Sequence, residues 1–311
     1  MILEFAIEPE FFTSWERCRY LTEKFGVSKG KLISRYPKRW LKMVYANLEQ
    51  DKDLGEMDRK RIEEKLSGIK EQMLYRHHDW NQSIDWMMNA ERETDLRPFD
   101  GIIGADNPRS HPHVFVFDDL DENCRSEWGM KTEYTVERTA RDLASIAAPL
   151  LRISQHVVFI DPHIDPYKKG YVESLPKFLE ACIIGRHNKY PLKIIEFISR
   201  YKVMSFEEEF RRQLGRELQE LNSMGVVVTV KRFKIRQKEE SPRGADGLHN
   251  RYILTERGGL NYRWGLDAGG KGETDDVSLL NPATWDKRWK EYIGDNPVFD
   301  LGEKFEVRGT A

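Results

Sequence analysis

Between Val157 and Ile235 short runs rich in β-branched and aromatic residues alternate with longer amphipathic stretches, and this alternation restricts the fold more than any other feature of the chain. Val157–Ile160, Leu192–Ile198 and Val226–Ile235 read as strands; Leu175–Ile184 and Phe206–Leu221, between them, read as helices. Strands joined through helices pair in parallel, so this βαβαβ order predicts an α/β fold with a mainly parallel sheet flanked by helices. Upstream, His113–Phe117 is a further strand candidate. Thr135–Leu151 reads as an amphipathic helix with Thr135 as its N-cap.

The first hundred residues follow a different pattern. Trp15, Cys18, Tyr20, Leu21 and Phe25 recur at helical spacing, as do Trp40, Leu41, Val44 and Tyr45. Residues 57–72 read as a solvated, charge-rich helix, and Trp80, Ile84, Met87 and Met88 mark another. The breakers Arg97-Pro98 and Asp106-Asn107-Pro108 close this region. The expectation is therefore a helical N-terminal domain over 1–108, able to dock a protein partner, and an α/β domain over 109–311.

With 50 basic and 52 acidic residues the formal net charge is −2, which excludes a global basic field; a polyanion would need a local patch. Apolar runs such as Val226–Val230 are too short to cross a bilayer, and the acidic N-terminal stretch is unlike a signal peptide. Cys18, Cys124 and Cys182 are odd in number and widely spaced, as expected of reduced thiols in the cytoplasm, with no disulfide framework.

Residues 248–267 read LHNRYILTERGGLNYRWGLD. On a strand, His249 and Arg251 share one face, because side chains alternate with period 2. Gly258-Gly259 supplies a turn, and Leu260–Trp264 returns as a hairpin partner. The spacing His249-x-Arg251-x-x-x-x-Glu256 resembles the H-x-K-x-x-x-x-D motif of the phospholipase D superfamily, with two conservative replacements. The strand ending Phe159-Ile160-Asp161-Pro162 resembles that family's opening strand. The resemblance implies a phospholipase-D-like fold over about residues 110–311 and a phosphodiesterase that needs no metal. A histidine attacks phosphorus to form a phosphohistidine, which water then hydrolyses. It places His249 as nucleophile, Arg251 on the non-bridging oxygens, Glu256 as orienter of an imidazole or of Arg251, and Asn261 as a donor to a phosphate oxygen. The family site uses two histidine motifs and this chain has one good copy. Two chains then pair across a two-fold axis as a homodimer, or His163 serves as the second histidine within one chain. Arg in place of Lys also leaves open a module that binds phosphate without cleaving it. By analogy alone, bacterial defence or DNA processing is the expected setting.

Two further segments carry chemistry. Asp161, His163 and Asp165, in Asp-Pro-His-Ile-Asp-Pro, form either a divalent-metal set or an Asx-type turn at a strand's end. Arg232, Lys234, Arg236 and Lys238 alternate with Phe233 and Ile235, which either tracks the backbone of a nucleic acid or protects a sheet edge with charge. The glycines from Gly265 to Gly272 lack the context of a dinucleotide fold or a P-loop, so no cofactor is expected.

Overall fold

The computed structural model of the chain describes residues 2–120, 128, 132–202, 206–234, 248–294 and 299–307. The chain divides into two compact units, Ile2–Lys131 and Thr132–Ala311.

The N-terminal unit is not the all-helical domain expected. Its elements run β1 (Leu3–Ile7), α1 (Trp15–Lys24), β2 (Lys31–Ile33), α2 (Trp40–Gln50), α3 (Glu56–Gln72), α4 (Trp86–Leu96), β3 (Gly101–Gly104) and β4 (Val114–Val116). The first three helices fall close to where their spacing put them, whereas the fourth begins only at Trp86, which leaves Trp80 and Ile84 in the segment before it. The four strands form a sheet in the order β2-β1-β3-β4, and every pairing is parallel. Strands of three to five residues buried on both faces show no alternation of polarity, so the aromatic helices around them dominate the sequence pattern. Gly101 lets the core close over β3: a Cβ there would come within 2.5 Å of the Phe5 ring and 2.7 Å of the Phe115 ring. The breakers at 97–108 flank β3 and do not end the unit, which continues through β4 to Lys131.

The C-terminal unit is a mixed α/β structure. It comprises β5 (Glu133–Glu137), α5 (Ala140–Ile153), β6 (His156–Ile160), α6 (Lys169–Ile183), β7 (Ile194–Arg200), α7 (Glu207–Gln213), α8 (Gly215–Ser223), β8 (Val227–Lys234), β9 (Tyr252–Thr255), β10 (Gly258–Tyr262), β11 (Thr274–Leu279), α9 (Pro282–Tyr292) and β12 (Asp300–Glu306). The sheet order is β12-β8-β7-β6-β9-β10-β11-β5. The expected βαβαβ core is present as β6, β7 and β8, paired in parallel, while the five other strands join antiparallel.

Two local expectations change. Thr135 does not cap a helix: it lies in β5, paired with Asp276 of β11, and Thr139 caps α5 by accepting the Asp142 amide. Nor is β8 an edge, since β12 pairs along it from Thr229 to Lys234. Val158, Ile160, Ile198, Tyr252, Leu254 and Tyr292 form one core on the α9 side of the sheet. Phe178 of α6 meets Phe159 and Tyr262 on the other side. Cys18 and Cys182 are free and buried; Cys124 lies outside the described residues. Among the described residues no helix is long and apolar enough to cross a membrane.

Candidate functional site

The parallel strands of the C-terminal unit end at Asp161, where open α/β sheets place their ligands. Its carboxylate is fully buried and ties the strand end to α6 and to the distant loop after β10. Oδ1 accepts the His163 amide at 2.9 Å; Oδ2 accepts the Leu266 amide at 2.9 Å and the Tyr171 hydroxyl at 3.0 Å. Burial pushes the Asp161 carboxyl above the usual aspartate value, against the pull of these three donors and of the Arg251 charge. Tyr171 is likewise pushed up, first by burial and then by the carboxylates of Asp161 and Asp267.

Arg251 enters this site from just before β9. Its Nη1 donates to the Arg263 carbonyl at 3.3 Å, and its Nε is buried with no partner among the described residues. The loop after β10 closes over it through Gly265, whose φ of 136° favours glycine. A Cβ there would lie 2.7 Å from Asp267 Oδ1 and 3.1 Å from Asp161 Oδ2, so a side chain would push the loop off both carboxylates. Arg138, at the entrance to α5, fixes the far side of the loop: it donates to Asp267 Oδ1 at 3.0 Å and to Glu273 Oε2 at 3.1 Å.

His163 is exposed on the same strand end, within range of the charges of Asp161, Arg251, Lys168 and Lys202. Partial burial and the three cations push its imidazole below the ordinary histidine value, and Asp161 opposes them. The shift favours the neutral ring, the form of an imidazole that acts as a base or nucleophile.

The other sequence candidates are distributed differently. His249 is exposed in a turn, and β9 begins only at Tyr252, so strand alternation does not align it with Arg251. Glu256 neither orients an imidazole nor holds Arg251. It accepts the amides of Gln155 at 2.8 Å and His156 at 3.1 Å, at the start of β6. The full length of β9 separates it from Arg251, roughly 15 Å at 3.3 Å per residue. Asn261 pairs with Tyr252 in register and so shares the α9 face of the sheet, opposite to Tyr262 and Phe178.

Asp161, His163 and Asp165 do not converge as a metal set. Asp161 is engaged by its three donors, and Asp165 accepts the Tyr167 amide at 3.0 Å in a turn. Among the described residues no group of three or more such side chains is placed to hold an ion.

The basic strand is also revised. Arg232 is 1% exposed, paired with Glu303 of β12 at 2.6 Å, with its guanidinium 4.5 Å from the Phe206 ring centroid. It is a core residue and is not free for phosphate. Lys234 is exposed at the end of β8, and Arg236 and Lys238 lie outside the described residues. The sequence reading missed Arg138, Tyr171 and Asp267. The glycine-rich run after the motif was the one signal that a loop covers the cleft.

No protein-family model matches the chain, and no curated protein matches it. Among solved structures it is similar to TrmBL2, an archaeal chromatin protein with a novel mode of DNA binding, at 8% identity. That match covers 86% of this chain and 72% of that chain, with a TM-score of 0.29. A likeness of that size assigns neither a fold family nor a function.

Proposed function

We propose that the C-terminal unit is a phospholipase-D-like phosphodiesterase acting on nucleic acid through a phosphohistidine. The observation that carries the reading is the meeting of His163 and Arg251 over buried Asp161 at the ends of the parallel strands. An always-charged guanidinium there suits two non-bridging phosphate oxygens. In this reading the His163 imidazole attacks: a P–N bond forms, the P–O bond to the leaving group breaks, and the departing oxygen takes a proton from a second histidine. His249, two residues from Arg251, supplies that proton in this reading. Water then cleaves the P–N bond. With both histidines in one chain, the reaction needs no homodimer. Lys168 and Lys202 extend the cationic end along a polyanion; the basic strand, with Arg232 buried, adds Lys234.

The exposed turn position of His249 and the remoteness of Glu256 favour a second reading, in which the cleft holds phosphate without cleaving it. Hydrolysis of bis-p-nitrophenyl phosphate and of a labelled oligonucleotide, in chelator, separates the two. Wild type is expected to turn over with activity per mole independent of protein concentration. His163→Ala and Arg251→Ala are expected to lose at least about a thousandfold in rate. Full activity in His163→Ala returns the attack to His249; no hydrolysis by wild type leaves the binding module.

A further inference from the structure

The first turn of α2 in the N-terminal unit has an unusual charge pattern. Arg39 is the N-cap and makes no capping bond, Lys38 precedes it and Lys42 follows, and the turn contains no acidic residue. Cations at the positive pole of a helix are unfavourable where an anion would be stabilising. All three side chains are exposed, and among the described residues none is ion-paired.

The loop carrying them is held rigidly. Leu74 donates to the Ile33 carbonyl at 2.8 Å and Arg35 to the Leu74 carbonyl at 2.7 Å, which lays residues 74–80 beside the loop. Arg35 Nε donates to the Lys38 carbonyl at 3.0 Å, and its guanidinium sits 4.8 Å from the Tyr75 ring centroid. The Lys38 amide donates to His78 Nε2 at 2.9 Å, a contact that burial reinforces by pushing this imidazole down towards its neutral form. Trp80, half-buried, packs edge-on against Tyr36 at 5.6 Å, and the Arg39 guanidinium lies 5.8 Å from its ring centroid.

From these contacts we infer that the start of α2 and Trp80 form a second surface for single-stranded nucleic acid, separate from the strand-end site of the C-terminal unit. Lys38, Arg39 and Lys42 take successive phosphates, and the Trp80 ring stacks an unpaired base beside the Arg39 guanidinium. A flat ring next to unpaired cations suits single strands, because the bases of a duplex are already stacked.

The test is fluorescence anisotropy of labelled dT12 with the full chain across a salt series. Replacing Lys38, Arg39 and Lys42 together with Gln should lower the slope of log affinity against log salt by about 2, at roughly 0.7 per single-strand contact. Trp80→Ala should weaken binding about 5- to 100-fold with the slope unchanged. Photocrosslinking of the wild-type chain to an iododeoxyuridine-containing oligonucleotide should label the peptide carrying Trp80, a measurement that does not depend on how the variant folds. An unchanged slope in the triple variant overturns the inference. A crosslink confined to other peptides does the same. Arg251→Ala tests the phosphodiesterase reading independently, since it leaves this surface intact and should preserve the slope difference between wild-type and triple-variant backgrounds.

Discussion

Both units end parallel strands in a polar cluster, but the two clusters have opposite charge. At the end of β1, Glu8 accepts the Ala105 amide at 3.0 Å in the field of Glu10, Asp106 and Asp85. At the end of β6, Asp161 is enclosed by donors and faces the Arg251 charge, while Arg251, Lys168 and Lys202 act on the neighbouring His163. The same topological position thus gives an acidic end in one sheet and a cationic end in the other. Topology supplies the place for a ligand, and side-chain charge bears on which ligand; the proposed phosphate site rests on the cationic strand end. The buried cations differ in a parallel way. Arg232 has the Glu303 carboxylate as partner, whereas Lys31, 1% exposed, has the Trp128 carbonyl and the face of its ring at 4.5 Å.

The largest expected effect is at Asp161. Replacing it with Ala leaves the His163 and Leu266 amides and the Tyr171 hydroxyl without their acceptor in a buried site. That should cost about 3–5 kcal/mol, and Asp161→Asn, which keeps one acceptor oxygen, should cost clearly less. Urea unfolding of the full chain measures both. Equal stability of wild type and Asp161→Ala would mean that the carboxylate does not organise the cationic end, and the contrast with Glu8 would fail.

How far the sequence anticipates these sites depends on the range of the interactions involved. The core β6, β7 and β8 was legible because each strand is a distinct apolar run between helical stretches. Of the N-terminal strands only β4 was, within the run His113–Phe117; Lys31–Ile33 and Gly101–Gly104 are too short to show a period. The Asp-Pro strand end was legible as a site, but the partners of its carboxylate were not: Leu266 lies 105 residues away. Arg232 shows the same limit. Its alternation with Phe233 was read correctly, yet Glu303, 71 residues on, makes it a core residue. Thr135 and Thr139 are equally suited to cap a helix; pairing of Thr135 with Asp276 on β11 leaves Thr139 to do so.

Lys31 gives a smaller effect that depends on pH. Burial, with the nearby Lys24 charge adding to it, lowers its ammonium to about 8 from the ordinary lysine value of 10.5. Between pH 8 and 10.5 the unfolded chain keeps a proton that the folded chain has released, so stability rises with pH across that window. The contribution is complete above the unfolded value and lost as pH falls through 8, with a total of about 3 kcal/mol. Lys31→Met should be the more stable protein at pH 7, and its advantage should shrink as pH approaches 10.5. A constant difference between the two across pH 7 to 10.5 would show that Lys31 stays charged in the fold, stabilised by Trp128 as effectively as Arg232 is by Glu303.

The smallest effect tests the acidic end directly. Burial first, and then the charges of Glu10, Asp106 and Asp85, raise the Glu8 carboxyl above its ordinary value, against the Ala105 amide. The folded chain therefore holds a proton that the unfolded chain has already lost. The associated stability is present below the ordinary glutamate value and is lost as pH rises through the raised one. Glu8→Gln removes the charge but keeps an oxygen for the Ala105 amide, so it should stabilise the chain at pH 7 by less than about 1 kcal/mol. The variant should also lose the decline in stability that wild type shows above the ordinary glutamate value. Asp161→Asn should behave in the opposite sense at pH 7 although burial raises that carboxyl too, because both Asp161 oxygens accept and an Asn must turn its NH2 towards at least one donor, whereas Glu8 uses a single oxygen. If both amide variants stabilised the chain, the three donors would not hold Asp161 through both of its oxygens, and the difference between the two strand ends would fail.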